Sequence, residues 1–412
     1  MRVLIFSINY WPEPTGFAPH VARFADSLVA AGDDVSVVTG FPFAPQWRRS
    51  PDDRGDFTRR ETINGVDVLR VSHIVPRRPG SAVQRILMEA TFCATFLLNF
   101  WRLRRRYDVV LYVGAQPAIA MLCRLVAAVR RIPYALWIND LATDAARDVG
   151  IIRSRSIFRL LGAFEYRAYT GAAGAIVLCD AFRKALRAHG FTDDRIVVVR
   201  SPVDVVAVRP LTTGTTFRQE HQIAADAFVV MFAGSMGLKQ GMENVIASAR
   251  VTATDPSIVW VLIGDGEARP GIERLINEEG LKNVVLLPLQ PPERLSEMFA
   301  AADLLLLNQL RAVKDSVVPS KLLTYMAAGK PVVAAVNGTS QAAEIVREAS
   351  GGRLVTPEDP AELARAVIEM RQQTEQLPEM GRNNRRYAEA FFDERKGFDT
   401  QRRFLAALVG EG

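Results

Sequence analysis

Short apolar runs recur along the chain, separated by stretches with helical spacing of apolar residues. Arg2–Ile8 reads as a buried strand, followed by a turn rich in Pro and Gly. A helix is expected from about Phe17 to Ala31, then a second strand over Asp34–Thr39. Strand, helix and strand in that order form a βαβ unit, with parallel strands joined by a right-handed crossover. Further strands are predicted at Val109–Val113, Tyr134–Ile138, Ala175–Leu178 and Arg195–Val199. The pattern restarts at Phe228–Phe232. Val259–Ile263, Asn283–Leu287, Leu304–Leu307 and Pro331–Ala335 complete a second parallel series. The polar stretch Asp52–Val68 reads as a surface hairpin or lid. Arg382–Leu408 reads as one amphipathic helix long enough to pack back across both halves.

The fold class predicted is α/β, with two doubly wound Rossmann-like domains over residues 1–204 and 205–381. Residues 382–412 return toward the first domain. A chain of 412 residues suits two domains of about 150–200 residues each. Apolar residues at 49% and charged residues at 23% argue against disorder. The net charge of +6 is mild, and the cations do not form the aromatic-interleaved basic face of a nucleic-acid reader. No nucleic-acid partner is therefore expected. Cys93, Cys123 and Cys179 stand far apart, which fits a reducing cytoplasm better than a metal or disulfide framework. The N-terminus reads as a strand rather than a signal peptide. No run approaches the roughly 18 apolar residues of a spanning helix.

Open α/β sheets bind ligands beyond the C-terminal ends of their strands, so the loops there carry the candidate chemistry. Gly16 precedes the first helix, where free N–H groups and the helix dipole favour a phosphate; a plain strand-to-helix turn is the alternative. His20 lies one turn into that helix and could reach a ligand or be a buried, hydrogen-bonded histidine. Phe232–Gly241 reads FAGSMGLKQG. Gly234, Gly237 and Gly241 permit a tight loop, and Lys239 could neutralise a diphosphate or be solvated. Neither GxGxxG nor a Walker A order is present, which disfavours a nicotinamide dehydrogenase. Gly264 ends the next strand. The segment from Ser316 through Val317, Val318, Pro319, Ser320 and Lys321 opens a helix, closed by Gly329 before Pro331. Ser316 and Ser320 are placed to cap it or to meet phosphate oxygens.

PSKLLTYMAAGKPVVA resembles the donor-site segment of family-four GT-B glycosyltransferases. It is most similar to the branch with the colanic-acid-type and N-acetyl-fucosamine transferases of bacterial surface polysaccharides. NYWPEPTGFAPHVARFADSLVAAGDDVSVVTGFPFAPQW, LWINDLATDAARDVGII and FAGSMGLKQGMENVIASA extend the likeness in order over nearly the whole chain. The resemblance implies a retaining transferase, with a UDP- or GDP-sugar donor on the C-terminal half and a glycan or lipid-diphosphate-linked acceptor on the N-terminal half. It puts Gly16 near the donor diphosphate and Lys239 one position before the family's phosphate-binding lysine. Gln240 fills that lysine's column, and Ser235 stands where an arginine is common. Ser316 and Thr324 occupy the columns of the family's glutamate pair, so both carboxylates are missing and Lys321 offers a replacement cation. Asn139 and Asp140 stand where His-Asp is frequent. Asp140 and Lys239 are the catalytic candidates, and His20, Asn139 and Asp140 the acceptor contacts. Such enzymes generally work without metal, so neither metal nor cofactor is expected; the nucleotide sugar is a substrate. The missing glutamates motivate an alternative: an inactive GT-B-like subunit that binds nucleotide sugar or glycan.

Ile86–Arg106 reads ILMEATFCATFLLNFWRLRRR. Apolar and aromatic residues followed by arginines suit an interfacial helix on the inner face of a membrane. A core helix with a basic exposed end is the alternative.

Overall fold

Arg2–Phe6 (β1) is apolar on both faces and becomes the centre of a parallel sheet, because helices cover it from either side. The computed structural model describes the chain except residues 15, 54, 79, 104, 141–154, 314–317 and 411–412, and the side chains of 155–161. The chain divides into two compact units. The first comprises Met1–Arg200 with Gly397–Gly412, and the second Ser201–Lys396.

The first unit holds an eight-stranded sheet in the order β3-β4-β2-β1-β5-β6-β7-β8. Its strands are β1, Asp34–Gly40 (β2), Thr58–Ile63 (β3), Val66–Val71 (β4), Val109–Gly114 (β5), Tyr134–Ile138 (β6), Gly174–Val177 (β7) and Ile196–Val198 (β8). Only β3 runs antiparallel. The helices are Ala18–Ala30 (α1), Ala82–Leu98 (α2), Pro117–Arg130 (α3), Arg155–Tyr169 (α4) and Asp180–Arg187 (α5). The polar stretch after β2 is a hairpin turned at Asn64 and Gly65. Both take positive φ (51° and 83°), the conformation an Asn-Gly turn supplies. Its second strand, β4, joins the sheet beside β2.

The second unit holds a six-stranded, all-parallel sheet in the order β11-β10-β9-β12-β13-β14. Its strands are Phe228–Ala233 (β9), Ile258–Ile263 (β10), Val284–Leu287 (β11), Leu304–Asn308 (β12), Val332–Ala335 (β13) and Gly352–Val355 (β14). Helices Thr215–Glu220 (α6), Met242–Val251 (α7), Arg269–Glu279 (α8), Leu295–Ala300 (α9), Ser320–Ala327 (α10), Gln341–Ala349 (α11), Pro360–Gln372 (α12) and Leu377–Phe391 (α13) follow. Separate apolar clusters line the sheet, one around Met231, Leu305 and Tyr325, the other around Phe232, Trp260 and Leu306.

The expected single helix over Arg382–Leu408 is two. α13 ends at Phe391, and Glu394–Leu408 (α14) begins after Asp393, whose carboxylate accepts from Arg395 N at 3.1 Å. Val203 N donates to Phe392 O and Glu394 N to Val203 O, which fixes the break. α13 belongs to the second unit and most of α14 to the first, where Phe398 and Leu405 enter the core with Phe24 and Trp137. Arg402 closes this arrangement with a 2.7 Å ion pair to the buried Asp33.

Candidate active site

In the second unit, β9 and β12 are neighbours whose following loops diverge, which makes their C-terminal ends a topological switch point. The loop after β9 is built from glycines. Gly234 sits at φ +126°, and a Cβ there would lie 2.7 Å from Lys321 Cε. A Cβ on Gly264 would collide with the Gly234 carbonyl oxygen. Gly234 N donates to Ile263 O, Met236 N to Asp265 O and Ala268 N to Met236 O, so the loops after β9 and β10 form one platform.

α10 delivers Lys321 onto this platform. Its Nζ donates to Ser235 O at 3.1 Å and lies 5.2 Å from the Phe232 ring centroid. Among the described residues no carboxylate pairs with it, and burial brings its pKa down to about 8. Tyr325, one helical turn on, donates its hydroxyl to Ala233 O and accepts from Ala233 N, holding the end of β9 against α10. A cavity of about 200 Å³ opens here, with Gly234, Gln290, Ser320, Lys321, Thr324 and Tyr325 in its wall.

The predicted donor residues therefore separate into groups. Gly234, Ser320, Lys321 and Thr324 share the cavity wall. Ser235 contributes its backbone carbonyl to Lys321 while its side chain is exposed. Gly264 is buried and supports Gly234 from behind. Lys239 lies on an exposed turn, Leu238–Gln240, away from the cavity wall. Val318 is buried, and Pro319 is the N-cap residue just before α10. Ser316 and Val317 lie outside the described residues. Ser320 does not cap α10, because it is the first helical residue rather than the one before it. Its carbonyl accepts from the Thr324 hydroxyl at 3.0 Å.

In the first unit, β1 and β6 present Gly16, His20, Asn139 and Asp140 on the same edge of the sheet. Gly16 is exposed at φ +65° in the loop before α1. Phe17 packs its ring 5.3 Å from His20 and 5.0 Å from Trp137, the β6 residue just before Ile138. His20 Nδ1 lies 3.1 Å from Arg23, and burial with that cation lowers its pKa to about 4, so the ring is neutral near pH 7. Asn139 is half-buried, and its Oδ1 has no hydrogen-bond partner among the described residues. Asp140 is exposed.

Two site elements escaped sequence reasoning. Glu13 is buried, and its carboxylate accepts from Phe43 N, Ala44 N and Asn9 Nδ2 at 2.7–2.8 Å. It ties the loop that leads to Gly16 onto the loop after β2; a glutamate between two prolines was the only local signal. Tyr325 sat inside the quoted motif, but nothing in its spacing distinguished it from other buried aromatics. Among the described residues no cluster of His, Cys, Asp or Glu could hold a metal ion, and no helix is long and apolar enough to cross a membrane.

Two family models match the chain. One described as glycosyl transferases group 1 covers residues 214–387, and a glycosyl transferase 4-like domain covers residues 15–202. WcaI of Escherichia coli K12, named for colanic acid biosynthesis, is 24% identical over 95% of this chain and 97% of its own. Sucrose-phosphate synthase from Thermosynechococcus elongatus superposes with a TM-score of 0.73 at 17% identity, covering 100% of both chains. HepE from Anabaena, solved with UDP, gives 0.71 at 17% identity over 99% of this chain and 100% of that one. The fold and the two matched models define a glycosyltransferase of GT-B architecture. Residues 214–387 match the group 1 glycosyl transferase domain and residues 15–202 the 4-like domain, one in each unit.

Proposed function

We propose that the protein moves a sugar from a UDP- or GDP-sugar to a glycan or lipid-diphosphate-linked acceptor in surface polysaccharide synthesis, with retention at the anomeric carbon. The observation that carries this reading is Lys321, a half-buried cation with no carboxylate partner among the described residues, in the wall of a cavity beside a glycine platform. Backbone approaches a diphosphate closely only where side chains are absent. WcaI, similar along nearly its whole length, is named for polysaccharide synthesis, and the HepE structure contains UDP.

In this reading the bond between the anomeric carbon and the phosphate oxygen breaks, and charge develops on the departing diphosphate. Lys321 neutralises that charge in a site where water is scarce, which is where a fixed cation acts most strongly. Lys239, exposed on the turn that follows the glycine loop after β9, meets the outer phosphate. The acceptor hydroxyl attacks the face the diphosphate leaves, and its proton passes to the departing phosphate oxygen. Asn139 and Asp140 hold that hydroxyl; the buried Asn139 Oδ1, without a partner among the described residues, supports this assignment. Thr324 offers a hydroxyl to the donor where the family carries a glutamate, and Gly16 approaches the diphosphate. No resident cofactor enters the scheme.

Thermal shifts with UDP, GDP and ADP test the donor assignment, since a nucleotide bound to the folded state raises its stability by mass action. A rise with UDP or GDP is expected, followed by release of free nucleotide when the matching sugar donor and a lipid-linked acceptor are supplied. The absence of a shift with every nucleotide would overturn the reading.

A further inference from the structure

We propose that the outer face of α2 docks this protein on an anionic phospholipid surface. α2 is apolar on two sides, and the first unit covers only one of them. Met88, Phe92 and Phe96 face inward and are 5%, 0% and 0% exposed. Val83, Ile86, Leu87, Leu97 and Leu98 recur at helical spacing on the other side, continued by Trp101 in the turn after the helix. These six are 45–70% exposed. Ala90 and Ala94, also exposed, fill the gap between the two groups. Single exposed apolar residues are ordinary, but a stripe along a whole helix marks a surface that meets something apolar. Leu125 and Val129 on α3, which packs against α2, are exposed as well.

Charge decides what that something is. The only acidic residue of α2 is Glu89, and its carboxylate accepts from Ala118 N at the start of α3. Arg77, Arg78 and Arg85 stand at one end of the stripe, Arg102 and Arg106 at the other. Arg102 lies 5.4 Å from the Trp101 ring centroid, so a cation and an indole share one end of the helix. Apolar residues in the middle, Trp at the boundary and arginines outside them fit the depth profile of a headgroup region over anionic lipid. A second copy fits poorly. Two-fold pairing of the stripe, in either direction, sets arginines against arginines. α2 spans about 25 Å along its axis and lies in the surface plane rather than across it.

The stripe also runs toward the acceptor edge. Ser81 caps α2 just after β4 has left the sheet. Arg85 stands 5.8 Å from the ring of Trp47, in the loop after β2. A lipid-anchored acceptor would thus approach from the docked side.

Flotation of the full chain with vesicles tests this without any nucleotide, so its failure is separate from failure of the donor assignment. Binding is expected to phosphatidylcholine vesicles containing phosphatidylglycerol, weaker to phosphatidylcholine alone, and reduced by added salt. Leu97→Ser/Leu98→Ser/Trp101→Ser should lower binding about tenfold or more with unchanged circular dichroism. Leu98→Ser alone, at the most exposed of these positions, is the variant to use should the triple form fold poorly. Arg102→Gln/Arg106→Gln should reduce the preference for the anionic vesicles. Absence of flotation with the anionic vesicles, or serine variants that float like wild type, would overturn the proposal. So would a solution dimer that the serine variants dissociate, which would assign the stripe to a second copy.

Discussion

Lys321 faces opposite demands from folding and from ligand binding. Its pKa of about 8 lies below the ordinary lysine value of 10.5. Between those two pH values the folded state binds fewer protons than the unfolded one, so stability rises with pH across that window. Near pH 7 the buried charge costs stability. Lys321→Met is expected to stabilise the nucleotide-free protein by about 1–2 kcal/mol, while abolishing the thermal shift with nucleotide and lowering turnover about 100-fold or more. A lower melting point with the nucleotide shift intact would refute the role. The same group sets a pH dependence. Nucleotide affinity should fall as pH rises through about 8, where the lysine of the free enzyme loses its charge. In Lys321→Arg that fall should disappear, because a guanidinium stays charged; calorimetric titration across pH 7–9.5 reads both. Lys321 was legible as a candidate cation from the motif. Its priority over Lys239 was not, because burial depends on the Gly234 platform, which residues distant in sequence complete. Ser320 shows the reverse: its capping role was legible but wrong by one residue, since α10 starts at Ser320 itself.

At the scale of elements, the loop of the first unit depends on a carboxylate. Glu13 collects two backbone N–H groups and one side-chain amide, joining the loops after β1 and β2. Glu13→Ala leaves those buried donors unpaired and should cost about 2–4 kcal/mol in urea unfolding, with an elevated KM for the acceptor as the loop loosens. An unfolding midpoint equal to wild type would show that the loop is held by other contacts. Strands were the most legible elements. β6 falls where its apolar run predicts, Tyr134–Ile138, because both faces are covered and nothing polar interrupts it. β14 escaped, since Gly352–Val355 is a short strand containing one arginine and has no periodicity of its own. The break between α13 and α14 also escaped. Amphipathic spacing continues through Phe392 and Asp393, and only the pairing with Val203, some 190 residues away, bends the chain there.

For the whole molecule, two units with separate cores predict two unfolding events rather than one. Calorimetry should resolve them. A bound nucleotide at about 100 times its dissociation constant should raise chiefly the transition of the second unit, by about 2.7 kcal/mol. Equal movement of both transitions would contradict a donor site built mainly on the second unit. Fold class and the two-part organisation were legible from the alternation of strand and helix alone. The division of residues 382–412, expected to return as one piece to the first domain, was not: α13 stays with the second unit, and the chain joins the first only from Gly397, where Phe398 and Leu405 meet Phe24 and Trp137.

That last contact has a consequence for synthesis on the ribosome. The second unit is one continuous stretch of chain, Ser201–Lys396, and has all its parts once that stretch has emerged. The first unit, although translated earlier, waits for Phe398, Arg402 and Leu405. Between those moments Phe24, Trp137 and the buried Asp33 lack their covering helix. The half of the enzyme made first is thus the half finished last, and is the one more exposed to chaperones and proteases while the chain is being completed.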